Sequence, residues 1–285
     1  MAQQAGATAT AAVDWAAVDE AMGRPGAAQD GGVRRWSMPR SDLQVTAGGV
    51  RLRPAFALGA WLAMKPAAGG GVIAMGDLVL GEDELNPVLS RLQEGGVEQT
   101  AIHHHVMRES PRVLYVHVHG HGDPVAVART VRAALALTGT PAPAPAAAPP
   151  PPLELDTAAV KAALGYGGRA TGGVWQVSVP RAETIRDAGE VIPPTMGLAT
   201  AFNFQPTGSG RAAITGDFVM TAGEVNPVIA ALRASGIEVV SLHNHLLAEE
   251  PRLFFMHFWA DDDAVRLARG LRAALDRTNS RRPGA

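Results

Sequence analysis

One long unit is written twice in this chain, and the duplication constrains its fold more than any other feature. Shifting the sequence on itself by 140 positions aligns Gly76-Asp77 with Gly216-Asp217, Asn86-Pro87 with Asn226-Pro227, and Pro111-Arg112 with Pro251-Arg252. The register holds without a gap to Arg132-Ala133-Ala134-Leu135 against Arg272-Ala273-Ala274-Leu275. Upstream the offset drifts by a residue or two, where Trp36 and Pro39-Arg40 answer Trp175 and Pro180-Arg181, and Asp14 answers Asp156. Solenoid repeats run about 20 to 50 residues, so a unit of this size is a whole domain in tandem.

Between the copies, residues 138–152 alternate Pro and Ala and close on four prolines. Such a stretch prefers polyproline II at about 3.1 Å per residue and spans roughly 45 Å as a semi-rigid spacer. The expected organisation is a disordered segment 1–12, a first domain 13–137, the linker 138–152, a second domain 153–278 and a tail 279–285.

Within each unit the pattern reads as strands around Val33 to Gln44, Phe56 to Met64 and Val72 to Leu80. A helix follows, with Leu85, Val88, Leu89 and Leu92 at helical spacing, repeated by Val225, Val228, Ile229 and Leu232. Gly95-Gly96 or Gly236 ends it, two strands follow around a Pro-Arg turn, and Asp123-Pro124 or Asp263-Ala264 opens a last helix. The expected class is α+β: two tandem homologous domains, each an antiparallel sheet with two helices packed on it. Thr221-Ala222-Gly223-Glu224 reads as a capping box, and Asn86 or Asn226 before Pro as an N-cap with Pro at the first helical position. Asp77 and Asp217, and Arg40 and Arg181, either line a pocket or make buried ion pairs.

All nine histidines fall in two short windows, Ile102-His103-His104-His105 to His121 and Leu242-His243-Asn244-His245 to His257. On a strand, residues two apart leave the same face, so His103 with His105, and His243 with His245, point together. A turn about Ser110 or Glu250 sets His103 opposite His117 and His243 opposite His257, close enough for three imidazoles to share one ion. A one-residue slip would turn one strand's set away. Glu109 and Glu249 sit four residues after the second His, with the same parity, as a fourth ligand, a general base or a solvated turn carboxylate. His119 and His121 are extra to the first copy, where the second has Trp259 and Asp261.

Composition narrows the chemistry. There is no cysteine, so disulfides, Fe–S clusters and thiolate zinc sites are excluded, and a transition ion must use His, Asp or Glu. With 25 basic and 27 acidic residues the chain lacks the basic footprint of a nucleic-acid binder. No apolar run approaches the roughly 20 residues of a membrane helix. The start, Met1-Ala2-Gln3-Gln4 and a Gly/Ala/Thr stretch, reads as the tail left once a secretory signal has been cut away.

The strings Gly-Asp-Leu-Val-Leu…Glu-Leu-Asn-Pro-Val-Leu and Leu-His-Asn-His-Leu-Leu-Ala-Glu-Glu-Pro-Arg-Leu-Phe-Phe-Met-His-Phe-Trp resemble the LppY/LpqO family, bacterial proteins of unknown function that carry export or lipoprotein signals. The resemblance implies a periplasmic, secreted or cell-envelope location and no established activity. His104, where the family pattern has Asn, departs from it. The expected function is an exported protein holding a divalent metal, Zn²⁺ first, on a three-His site in each repeat, with metal-activated water for a hydrolase or lyase. The alternative is a non-catalytic binder of a metal, a small molecule or an envelope ligand. A third reading has the histidines stabilising a homodimer or domain interface.

Overall fold

A computed structural model describes residues 12–143 and 152–282. The expected N-terminal segment, except Ala12, most of the linker and the last three residues of the tail lie outside them.

The first repeat runs α1 (Trp15–Met22), β1 (Ala27–Gln29), β2 (Val33–Pro39), β3 (Thr46–Ala47), β4 (Val50–Arg51), α2 (Pro54–Ala57), β5 (Gly59–Pro66), β6 (Val72–Gly81), α3 (Glu82–Glu94), β7 (Glu98–His103), β8 (Val113–Gly122) and α4 (Pro124–Leu135). The second runs α5 (Thr157–Leu164), β9 (Arg169–Thr171), β10 (Val174–Pro180), β11 (Arg186–Asp187), β12 (Glu190–Val191), a 3₁₀ turn Pro194–Met196, β13 (Ala199–Gly208), β14 (Arg211–Met220), α6 (Ala222–Ala234), β15 (Glu238–His243), β16 (Phe254–Asp263) and α7 (Ala264–Leu275). Each repeat is a six-stranded antiparallel sheet, ordered β1-β2-β5-β6-β8-β7 and correspondingly β9-β10-β13-β14-β16-β15. The α+β expectation therefore holds.

Strand periodicity assigns the two faces. In β14, Ala212, Ile214, Phe218 and Met220 meet the helices with Met256 and Phe258 of β16 and Leu267 and Leu271 of α7. The residues between them, among them Val219 and Phe255, face the other repeat. There Val33, Ala63, Ile73 and Met75 pack with Ile192, Met196, Leu198, Val219 and Phe255 in a shared core. Each fully buried side chain of this kind contributes about 1.5–3 kcal/mol, so the interface has the character of a domain interior. The layers are helix, sheet, sheet, helix, and β6 and β14 are buried along both faces.

Several elements depart from expectation. Each repeat has a further helix, α1 or α5, capped by Asp14 or Asp156, whose carboxylates accept backbone N–H bonds from Ala16 and Ala17 or from Ala159. Eight residues rich in alanine carry too little apolar periodicity to announce a helix, and packing against α4 or α7 supplies the rest. Phe56 belongs to α2, and the strand starts at Gly59. Asn86 and Asn226 are not N-caps, because α3 and α6 begin four residues earlier and carry Pro87 and Pro227 inside. The box at Thr221 is the true start, with Glu224 accepting the Thr221 backbone N–H at 2.7 Å. Glu84 does the same for Gly81 at 2.8 Å.

Those two glutamates also settle the role of the repeated arginines, which make buried ion pairs. Arg181, 2 % exposed, donates to Glu224 at 2.7 Å, to Glu183 at 3.0 Å and to the Val219 carbonyl at 2.8 Å. Arg40 repeats the pattern with Glu84, Asp42 and Val79. Glu224 accepts the Asn279 backbone N–H as well, at 2.6 Å, so one carboxylate ties the helix start, the end of β10 and the close of the repeat. Replacing Arg181 by Met leaves Glu224 and Glu183 without their cation. Breaking a buried pair costs about 3–5 kcal/mol, and partly exposed carboxylates put this one at the lower end. Urea unfolding of R181M should show that loss, and a change below about 0.5 kcal/mol, the scale of ordinary surface substitutions, would show the pair to be idle.

Candidate metal centre

The hairpins that carry the histidines are held at both ends. Their loops are clasped by the small ribbons, Thr46 pairing with Ser110 and Arg186 with Glu250 through reciprocal backbone bonds of 2.8–2.9 Å. The peptide bonds into Pro111 and Pro251 are cis. The turns centre on Glu109 and Glu249, one residue before the expected Ser110 and Glu250, so that His103 faces Tyr115 and His243 faces Phe255, while His117 and His257 face Ala101 and Ser241. The displacement is two residues, so parity survives and the rings keep their face. His105 and His245 lie just past their strands and stack on Tyr115 and Phe255, with ring centroids 3.5 Å apart in both copies.

Both hairpins present this face to the interface, and the six expected imidazoles meet there as one cluster. His103 and His243 stack on each other at 3.8 Å. His105 lies 3.9 Å from His257 and His117 lies 3.7 Å from His245, so the contacts repeat about an approximate twofold between the repeats. Backbone contacts across the seam fix the approach: Thr100 Oγ1 donates to the His245 carbonyl at 2.7 Å, Ser241 Oγ to the His104 carbonyl at 2.7 Å, and Thr215 Oγ1 to the His105 carbonyl at 3.1 Å. Asn244 joins them by donating to the Thr100 carbonyl at 2.8 Å. Spacing alone points to two separate hairpin sites, whereas the repeats supply one composite centre. The histidines thus lie at a domain interface within a single chain.

Hydrogen bonds at the rim orient the rings. His257 Nδ1 lies 2.6 Å from the Gly216 carbonyl, His117 Nδ1 3.2 Å from that of Gly76, and His245 Nδ1 3.0 Å from that of Gly197. A ring that donates from Nδ1 keeps its lone pair on Nε2, and here Nε2 points into the cluster. The repeated Gly-Asp dipeptide now has a physical reason. A Cβ at Gly216 would overlap the Ala201 carbonyl of the adjacent strand, and one at Gly76 would come within 2.7 Å of the Trp61 carbonyl. The next residue in each strand, Asp77 or Asp217, pairs opposite His117 or His257. Its Oδ2 lies 3.2 Å from His105 Nε2 or 3.0 Å from His245 Nε2. Neither contact has hydrogen-bond geometry, and His105 Nε2, His117 Nε2, His245 Nε2, both ring nitrogens of His243 and one oxygen of each aspartate are buried without a partner.

Unpartnered buried polar atoms cost free energy, and a cation among lone pairs and carboxylates would satisfy them together. Within this cluster three sets have ligand atoms all within 4.8 Å of one another: His103, His243 and His257; His117, His243 and His245; and Asp77, His103 and His117. Two of the three draw on both repeats. His103 Nε2 and His257 Nε2 are 3.2 Å apart, against about 3.4 Å for two nitrogens on a tetrahedral ion at 2.0–2.1 Å. The donors present fit a divalent transition ion.

Burial dominates the electrostatics. It pushes His117, His245 and His257 down to about 3, neighbouring imidazoles adding to the effect at His117 and His257. His103, His105 and His243 are lowered too, first by burial and then by neighbouring rings. Burial raises Asp217 to about 7, partly opposed by His257. The imidazoles are therefore neutral near pH 7, the form that binds metal.

The two glutamates lie elsewhere. Glu249 accepts the Leu253 backbone N–H at 2.8 Å and a bond from Arg252 at 3.2 Å, bracing the hairpin loop. Glu109 Oε1 sits 3.5 Å from His104 Nδ1. Neither belongs to a candidate ligand set among the described residues. The aspartates beside the rings carried the signal instead: Gly-Asp in a strand, in both copies.

A family model described as Domain of Unknown Function (DUF1259) matches residues 16–137 and again 158–277. No match was found among curated proteins. Among solved structures, a trimeric bacterial microcompartment shell protein, PduB, is 13 % identical with a TM-score of 0.22, covering 88 % of this chain and 90 % of that one. EtuB from Clostridium kluyveri is 10 % identical with a TM-score of 0.20, at the same coverage.

The buried imidazoles also predict a pH dependence. Their folded-state values lie below the ordinary 6.5, so between about 6.5 and 3 the unfolded chain binds more protons and stability falls as pH falls. Asp217, between about 7 and 3.8, and Glu249, also raised by burial, act the other way, two groups against six. The melting temperature of chelator-treated protein should drop from pH 7.5 to pH 4.5, and a flat or rising profile would contradict neutral burial.

Proposed function

The chain belongs to the DUF1259 family, whose domain it carries twice, and we propose that the two copies act together as one divalent-metal-binding unit with Zn²⁺ as the first candidate ion. The observation that carries this is the convergence of six imidazoles from both repeats, with ring nitrogens and carboxylate oxygens buried and unpartnered. Imidazole and carboxylate donors without thiolate suit Zn²⁺ and its neighbours, and Zn²⁺ imposes the least demand on geometry.

Between the catalytic and non-catalytic readings, the surroundings favour binding. Water activation for a hydrolase or lyase needs an open coordination position beside room for a substrate. Two cavities, one at Gly70, Gly71 and Gly122–Val125 and one at Arg91, Glu94, Gly95, Arg129, Thr130 and Ala133, are lined by no histidine. Glu249 as a general base would have to leave the loop partners that hold it, and Glu109 sits beside His104, outside the candidate ligand sets. An exported location, periplasmic, secreted or at the envelope, is part of the proposal and rests on the resemblance to the LppY/LpqO family. No helix among the described residues is long and apolar enough to cross a membrane.

A shared centre makes a prediction that two separate sites do not. Elemental analysis and zinc titration against a chromophoric chelator should show that H117A in one repeat and H243A in the other each weaken binding by at least about tenfold, since removing even the hydrogen-bond partner of a ligand commonly costs that much. Their effects in the double variant should fall short of additivity, because residues sharing one site are coupled. Full additivity would restore two independent sites, and unchanged affinity in all three variants would remove the metal reading.

A further inference from the structure

A second group of ligating side chains lies at the margin of the interface and takes no part in the six-imidazole centre. His119 and His121, two apart on β8, project toward β11 of the other repeat. His119 Nε2 is 3.0 Å and His121 Nε2 3.7 Å from Asp187 Oδ2. The three form a set with ligand atoms within 4.8 Å of one another. His119 is 7 % exposed and Asp187 5 %, while the His121 side chain is 44 % exposed.

The contact between His119 and Asp187 is not a satisfied hydrogen bond. His119 Nδ1 lies 3.4 Å from Glu98 Oε2, and a neutral ring donating there has its Nε2 lone pair facing a carboxylate that only accepts. His119 Nε2 and Asp187 Oδ2 are both buried without a hydrogen-bond partner. Two acceptors 3.0 Å apart repel unless a cation lies between them, and Glu98 stands where a second carboxylate commonly orients a ligating imidazole.

The approximate twofold supplies a built-in control. At the corresponding place in the other half, His119 is replaced by Trp259 and Asp187 by Ala47, both buried. Trp259 packs edge-on to Phe56 with centroids 6.0 Å apart. Asp261, in place of His121, accepts a bond from Thr207 at 2.9 Å. The fold needs only an apolar plug at this position. Burying an imidazole and a carboxylate instead, unpaired, costs stability, so the polar version answers a different demand.

We propose that His119, His121 and Asp187 form a separate site for a divalent first-row transition ion, bound by two imidazoles and one carboxylate with its remaining positions open to solvent beside His121. The site joins β8 of the first repeat to β11 of the second. An ion held there would also cross-link the two domains.

The test uses the full chain stripped by chelator, then titrated with Zn²⁺ against a chromophoric chelator and with Co²⁺ followed by absorption. H121A and D187N should each lose one equivalent, or weaken it by at least about tenfold, while retaining whatever H243A loses. Binding in both variants indistinguishable from the parent would overturn the proposal, and so would D187N losing only thermal stability while H121A binds unchanged. Should D187N fail to fold, H121A decides alone, since its exposed side chain is not needed for packing. If H243A binds as the parent does while H121A loses an equivalent, this site stands and the six-imidazole centre falls.

Discussion

The face-to-face packing of two sheets is the constraint on which everything else depends. Each sheet has one face covered by its own helices, and its other face is apolar along Val33, Ile73 and Met75 or along Val219 and Phe255. Neither repeat could leave that face in water without exposing a domain-sized apolar patch. Pressing the two faces together removes the patch and, in the same motion, takes six imidazoles and two aspartates out of solvent. The depressed histidines and raised Asp217 follow from this burial, and so does the need for something to satisfy the ring nitrogens that point inward.

Much of the fold was legible in the chain. The duplication, the order of strands and helices, the ends of the helices at glycine and the shared face of His103 and His105 all follow from local periodicity and turn chemistry. The hairpin pairing differs from the expected one by two residues, because the turn centres on Glu109 or Glu249 and local composition does not fix the centre of a long loop to one residue. Parity nonetheless preserved the choice of histidines. Periodicity reports which side chains share a face, and it is silent on what covers that face. That silence explains why the histidines read as two centres and not one.

A sharper reading lay in the unbroken apolar runs. Val72-Ile73-Ala74-Met75 and Leu78-Val79-Leu80 do not alternate as a half-exposed antiparallel strand should, and such runs mark strands buried on both sides. With that clue the Gly-Asp dipeptide stands out as the one polar interruption in a doubly buried strand. The glutamates at 109 and 249 drew attention through spacing alone. Glu249 has structural work instead, accepting the Leu253 backbone N–H at the loop, while Glu109 sits beside His104.

Covalent duplication has a consequence for what such a centre can become. Two identical chains meeting about a twofold must place the same residue at both symmetry-related positions, so every elaboration comes in pairs. Joined in one polypeptide, the halves keep the geometry of a symmetric dimer while each position is free to change by itself. Trp259 and His119 occupy equivalent places with opposite chemistry, one sealing the seam and the other opening it to polar ligands. The tandem arrangement therefore lets one shared scaffold carry a structural half and a differentiated half, a division of labour closed to a homodimer.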